Sequence, residues 1–338
     1  MELTDRQRVI LKTVVEDYIF TAAPVPSEKL AGQRLKVSSA TIRNEMMELE
    51  NLGLLTHPHT SAGRMPSDLG YRYYIEHLMT ENGLAPMEEQ TIWHQFHQVE
   101  AEVDEWGPLA ASIMAQMARS AALVTKRHSS KGKVKRVELV SIQEDLVLVV
   151  LILQSGALPQ RMLHLSESKT RDDLSRIANR LSEALGNMTA QQVIRRAGRL
   201  SGLDRELALL VARLIEQSER YWDDDIYYEG IEFVSSEPEF GRADRLIGLM
   251  ESLQRGAHLA PLLSRVLQSD DLRVVIGAEN ESEWMRGCSV VLKRYGMSGQ
   301  VGGVVGVVGP TRMKYWRAVS LVRFMAQLLD QLTEQSLH

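Results

Sequence analysis

The chain has 338 residues, 44% hydrophobic and 25% charged, which is the balance of a globular chain able to fill two or three buried cores. Its one cysteine, Cys288, excludes an intrachain disulfide framework and fits a reducing, cytoplasmic setting; no run of about 20 apolar residues marks a membrane span, and the N-terminus is acidic where a signal peptide starts basic. A formal net charge of −5 argues against a generally basic nucleic-acid binder, so any positive surface must come from placement.

Thr4 followed by Gln7 fits a capping box for a first helix, to which Val9, Ile10, Val14 and Tyr18, with the flanking Leu11 and Val15, give an apolar face. Pro24-Val25-Pro26 stops it, and Ser27 can cap a second helix carrying Leu30, Ala31 and Leu35. Ser38 or Ser39 caps a third, on which Ile42, Met46 and Leu49 recur at i, i+4 and i+7 as one buried stripe. Thr41, Arg43, Asn44, Glu45, Met47 and Glu48 are left on the other faces. Gly53 closes the helix, Leu54-Leu55-Thr56 is strand-like, Gly63 and Pro66 are turn residues, and Arg64 falls at the tip of the resulting ribbon. Tyr71, Tyr74, Ile75 and Leu78 predict a fourth helix.

A short helix followed by a glycine-tipped ribbon is how a winged helix presents one element to the major groove and another to its edge. Arg43 and Asn44 lie near the end of the helix that enters the groove; Arg offers two prongs to guanine O6/N7 and Asn two to adenine N6/N7. The candidate DNA contacts are Lys29, Arg34, Ser38, Ser39, Thr41, Arg43, Asn44, His59, Thr60, Ser61 and Arg64, with Lys29, Arg34 and Arg64 directed at the backbone. The first 79 residues hold nine basic against ten acidic side chains, so Lys29, Arg34, Lys36, Arg43 and Arg64 have to gather on one side.

Thr80 to Met87 reads as a linker. Ile92, Phe96, Val99, Val103 and Trp106 then form a heptad seam, interrupted by Gly107-Pro108 and continued by Leu109, Ile113 and Met117. Strands are expected at 134–142 and 145–153, two helices at 172–185 and 189–215, a strand at 226–234 and a helix at 242–253. Strand signals resume at 272–276, 289–294 and 300–308, before a last helix bearing Ala318, Leu321, Val322, Met325, Leu328, Leu329 and Leu332. Sheet, helical excursion and sheet again is the pattern of an insertion within one α+β domain.

Two blocks resemble the heat-inducible transcription repressor family HrcA. The first runs Val37-Ser38-Ser39-Ala40-Thr41-Ile42-Arg43-Asn44-Glu45-Met46, then Leu49-Glu50, Pro58-His59-Thr60-Ser61-Ala62-Gly63-Arg64-Met65-Pro66 and Gly70-Tyr71-Arg72. The second comprises Cys288-Ser289-Val290-Val291, Tyr295-Gly296 and Gly306-Val307-Val308-Gly309-Pro310-Thr311-Arg312-Met313. Pro26 departs from the family pattern, which commonly has glycine there. The resemblance implies a repressor of chaperone operons that binds an inverted-repeat double-stranded DNA operator as a homodimer. It implies release by heat, reactivation by a chaperonin of the GroEL type, no cofactor and no catalysis. It further implies a winged helix (1–79), a GAF-like α+β domain in two parts (88–169 and 256–338) and a mainly helical dimerisation insertion (170–255). A metabolite-sensing regulator using the GAF-like part is the competing expectation.

Other patterns carry blander readings. His57 and His59 sit at metal-like spacing without further Cys or His nearby, so they read as wing residues; Ser61 beside His59 lacks a defined acid for a triad. Asp223-Asp224-Asp225 reads as a solvated turn before a cation site, and the basic run from Lys126 to Arg136 as a loop before a phosphate contact. Gly299, Gly302, Gly303, Gly306 and Gly309 lack the Gly-Lys-Ser/Thr ending of a phosphate loop and read as packed strand glycines.

Overall fold

The computed structural model describes residues 3–31, 37–57, 63–98, 106–126, 128–129, 132–154, 158–220, 226–241, 243–254, 259–296 and 301–335. The N-terminal head contains α1 (Asp5–Thr21), α2 (Ser27–Ala31), α3 (Ser39–Asn51), β1 (Leu55–Thr56), β2 (Met65–Pro66) and α4 (Asp68–Tyr73), which runs into a π turn at Tyr74–Leu78. The Thr4 hydroxyl accepts from Gln7 N at 3.2 Å while Thr4 N donates to Gln7 Oε1 at 3.0 Å, the reciprocal cap expected for α1. Ile10, Leu11, Val14 and Val15 are buried, whereas Val9 is exposed.

The body begins with α5 (Pro86–Gln98) and α6 (Trp106–Ala118). Ile92, Phe96 and Trp106 of the expected seam are buried in the chain's own core, while Val99 and Val103 lie outside the described residues. Gly107-Pro108 lies within α6, which is described from Trp106 onward. The main sheet has the order β8–β3–β11–β10–β9, built from β3 (Ala121–Thr125), β8 (Ile226–Glu229), β9 (Arg273–Ile276), β10 (Cys288–Gly296) and β11 (Val301–Pro310), with β4 (His128–Ser129) also pairing β11. The β11 glycines are packing glycines, as expected: a Cβ on Gly303 would come within 2.5 Å of the Tyr295 ring, and one on Gly306 within 2.6 Å of Val291 O. α10 (Ile231–Ser235), α11 (Ala243–Gln254) and α12 (Ala260–Leu267) join one face through Val234, Leu249, Leu253 and Leu263. α13 (Tyr315–Gln335) packs on the other, sharing a core with α6 and the head.

A second body has its own core. β5 (Val134–Ser141), β6 (Leu146–Leu153) and β7 (Gln160–His164) form an antiparallel meander against α7 (Arg171–Leu185), α8 (Ala190–Ala197) and α9 (Gly202–Arg220). This corrects the expected boundaries. The insertion includes the strands at 134–164 and stops before β8, since β8, α10 and α11 belong to the main sheet. Residues 189–215 are two helices, broken around Leu200-Ser201-Gly202, and the strand expected at 226–234 ends at Glu229, where Gly230 turns the chain into α10. Thr125 of β3 is directly opposite Ile226 of β8, so the insertion leaves and re-enters the body at neighbouring points of one sheet.

Candidate nucleic-acid interface

α3 is positioned by its cap and its buried stripe. The Ser38 hydroxyl accepts from Thr41 N at 3.2 Å, and Ile42, Met46 and Leu49 are buried. Ala40, Arg43, Asn44 and Met47, at i, i+3, i+4 and i+7, then line an exposed face; Ser39 and Thr41 flank it half-buried. This face can enter a groove with its polar N-terminal half leading.

Three described cations around α3 already meet carboxylates of the head. Arg43 Nη2 donates to Glu28 Oε1 at 3.0 Å, Lys29 Nζ lies 3.2 Å from Asp17 Oδ2, and Arg6 Nη1 donates to Glu45 Oε1 at 3.2 Å. Glu28's own backbone N–H, then the Arg43 guanidinium, hold its carboxyl below the usual carboxylate range against a small opposing effect of burial. The Arg43 and Glu28 side chains are 65% and 62% exposed, and such pairs contribute only about 0–1 kcal/mol. Exchanging the carboxylate for a base edge or a phosphate is therefore cheap, which reconciles a head without net positive charge with nucleic-acid binding.

β1 and β2 pair as Leu55↔Pro66 and Thr56↔Met65, and Val25 adds an isolated bridge by exchanging two backbone hydrogen bonds with Arg64, at 2.8 and 2.9 Å. Arg64 is therefore at the root of the wing and not at its tip. Its Nε lies 2.8 Å from Glu50 Oε2 in an ion pair whose N–H is not aimed at the oxygen, and His57 Nδ1 meets the other oxygen, Oε1. Sequence reasoning missed Glu50 and Glu28 because nothing local links them to residues 14 or 15 positions away. Arg34, His59, Thr60 and Ser61 lie outside the described residues.

α4 docks this head on the body. Ala278 N donates to Asp68 Oδ2 at 2.8 Å; Arg72 donates through Nε to Glu279 Oε1 at 3.0 Å and through Nη2 to Val274 O at 2.8 Å. Arg312, at the end of the β11 block, donates to Ile19 O at 3.4 Å and to Glu239 Oε1 at 2.6 Å. Tyr71 of α4 and Tyr315 of α13 hold their ring centroids 5.7 Å apart. Beside this junction a cavity of about 540 Å³ is lined by Arg72, Arg265, Val274, Glu279, Ser282 and Met285, among others.

No group of three or more His, Cys, Asp or Glu among the described residues could hold a metal ion, and no helix among them is long and apolar enough to cross a membrane. The Cys288 thiol is buried, and that burial pushes its pKa up to about 12.

Comparison with known proteins agrees with this geometry. Residues 2–77 match the family described as the winged helix-turn-helix transcription repressor, HrcA DNA-binding, and residues 108–319 match the HrcA protein C terminal domain. The heat-inducible transcription repressor HrcA of Herpetosiphon aurantiacus is 41% identical, covering 98% of this chain and 96% of the relative. The repressor of the same name from Chloroflexus aurantiacus is 40% identical over 99% and 95%, and that of Thermomicrobium roseum 39% over 99% and 97%. A crystal structure of a hypothetical protein shares the fold, with a TM-score of 0.63, 24% identity, and coverage of 99% of this chain and 100% of that one. The capped helix with its exposed Arg43-Asn44 face, the wing behind it and these full-length similarities place the chain in the HrcA family of heat-inducible transcription repressors.

Proposed function

We propose that this chain represses heat-shock and chaperone operons by seating α3 in the major groove of an inverted-repeat operator, two copies together occluding transcription. The observation that carries this reading is the exposed Ala40-Arg43-Asn44-Met47 face of a capped helix whose wing is rooted directly behind it. It is a binding and release function, not catalysis. Footprinting on the host's chaperone promoters tests it: protection of two half-sites related by a two-fold axis is expected, and protection that ignores sequence would overturn it.

An inverted repeat calls for a two-fold dimer. The apolar faces of α7 and α9, expected as the interface, are consumed in the insertion's own core through Leu174, Leu181, Leu207 and Val211. The β sheet of the same insertion supplies a better candidate. All eight residues of β6 are aliphatic; Val147, Val149, Leu151 and Leu153 are buried, while Leu146, Leu148, Val150 and Ile152 point the other way and stay half-buried. Leu148 lies between Val140 and Met162, which are 47% and 60% exposed. An aliphatic sheet face of this kind is what a second copy would cover. Changing Leu148 and Val150 together to Lys should yield a monomer in sedimentation.

The heat response is read as loss of the folded head–body unit, with a chaperonin returning it. Operator affinity of purified protein is expected to fall after mild heating and to recover with chaperonin and ATP; binding unchanged by both would refute it. The junction cavity supports the competing metabolite-sensing reading, since about 300–1,000 Å³ suits a small molecule and Arg72 of the head lines it. Operator binding that requires a small-molecule cell extract would favour that reading.

A further inference from the structure

We propose that Glu50 is a positioning residue for DNA recognition, tying both roots of the wing to the recognition helix through Arg64 and His57, and that Arg64 serves the wing and not a phosphate. This rests on the repressor reading above.

The wing needs such a tie. Among the described residues its ladder is two residues on each strand, and one of the four is Pro66, which has no N–H to donate. Isolated two-stranded ribbons are marginal in water. Val25 braces one side by pairing with Arg64, and Ser67 N donates to Leu54 O at 3.1 Å, but neither contact involves a residue of α3. Glu50 does reach it. It stands in the last turn of α3, beside the buried Leu49, and its two carboxylate oxygens take one partner each: Arg64, where the chain returns from the wing, and His57, where it departs.

The pair differs from the other ion pairs of the head. Glu50 and Arg64 side chains are only 23% and 19% exposed, against 62% and 65% for Glu28 and Arg43. Less solvent means less screening and a narrower range of geometry. Arg64 is also immobilised by its backbone bonds to Val25, whereas a phosphate-seeking arginine gains from a free stem. Within one head, exposed cations are left to exchange partners with DNA, while a half-buried one fixes the angle between helix and wing.

The two roles of Arg64 predict opposite signs for Glu50→Gln. If Arg64 bound phosphate, removing its competing carboxylate would free it and tighten operator binding. As a clamp, Glu50→Gln loosens the wing and should weaken operator binding about tenfold, the scale of one lost charge-assisted contact. Arg64→Ala, which leaves the His57 contact in place, should cost less, and the double variant should be little worse than Glu50→Gln alone, because the Glu50 change already breaks the Arg64 link. Hydroxyl-radical footprints should lose the wing-side protection and keep that of α3. A DNA-free arm follows amide exchange at Val25, Arg64 and Ser67 in the full-length protein: faster exchange there in Glu50→Gln, with Met46 and Leu49 unchanged, is expected. Tighter operator binding by Glu50→Gln, additive losses in the double variant, or unchanged exchange would each overturn the proposal. Failure of the unmodified chain to bind any chaperone promoter would count against the repressor reading, and the exchange arm would still decide the clamp. Should Glu50→Gln fail to fold, Arg64→Lys, which keeps the charge but not the planar guanidinium packed at the wing root, carries the same exchange prediction at smaller amplitude.

Discussion

Arg43 on α3 and Lys29 on α2 call for different outcomes. A bidentate contact to a base edge is worth about 1–3 kcal/mol of discrimination, so Arg43→Ala should cost affinity for the operator and little for random duplex. Lys29→Ala should weaken every duplex alike and lower the salt slope by about one. Equal losses on operator and random DNA for Arg43→Ala would remove the base-reading assignment. Gly70 makes a different kind of case. A Cβ there would lie 2.0 Å from Leu54 O, so Gly70→Ala pushes α4 away from the wing root and should destabilise the protein by about 2 kcal/mol or more, read as a lower urea midpoint. Cys288 should resist alkylation in the folded protein at pH 8, because its thiol is buried and titrates near 12, and should react at once in urea.

Among the elements, α5 is held to α13 by Glu88, whose carboxylate accepts from Arg317 Nη2 at 2.8 Å. Arg317's hydrogen bond, then the amide of Ala85, hold the Glu88 carboxyl below its ordinary 4.5 despite the opposing desolvation. A carboxyl depressed on folding stabilises the protein fully above its unfolded pKa and loses that contribution as pH falls through the lower, folded value. The urea midpoints of the native chain and of Glu88→Gln should therefore differ at pH 7, begin to converge as the pH drops below about 4.5 and meet only below the lower, folded value. The elements also show where sequence ceases to inform. The caps of α1 and α3, the stripe Ile42-Met46-Leu49 and the α13 face were legible because each is set within a few residues. The insertion boundary was not, since the eight aliphatic residues of β6 read equally well as a buried strand of the main sheet; which partner it meets is decided by a neighbouring hairpin, not by its own composition. β3, rich in alanine, and β7, polar on an edge, gave too little pattern to be seen, and α12 was missed as well. Arg43 and Asn44 were placed where expected, but the Glu50–Arg64 contact that moves Arg64 from the tip of the wing to its root joins residues 14 apart across a turn.

At the scale of the whole molecule, head and main body share one continuous core running from Leu3 to Leu332, so heat should remove them together. Thermal loss of operator binding and of tryptophan fluorescence should coincide; a head that still binds after the body has melted would separate them. The insertion is attached differently. Because Thr125 faces Ile226 across the sheet, residues 132–222 are an excursion between two adjacent strands. Replacing them with a short turn should leave the main sheet closed and give a monomer that binds a half-site weakly. Cutting 170–255 instead would remove β8 and the leucines of α11 from the main core, and should give an unfolded product. A dimer surviving the first excision would move the interface elsewhere.

The order of strands β8–β3–β11 sets a timetable for the newborn chain. β3 emerges from the ribosome early, yet β11 is made roughly 180 residues later, a wait of about 9 to 36 seconds at ~5–20 residues per second. The meander β5–β6–β7 meets no such delay, since each strand pairs with the next. Tyr71 of the head has still longer to wait, because Tyr315 and the rest of α13 are the last described residues to appear. A repressor built this way becomes competent only when its final helix is in place, however early its DNA-reading helix was synthesised. In a synchronised translation reaction, capture of the chain on operator DNA should lag behind the appearance of residue 51 by the whole of that interval, and chains stopped at residue 314 should not be captured as folded repressor at all.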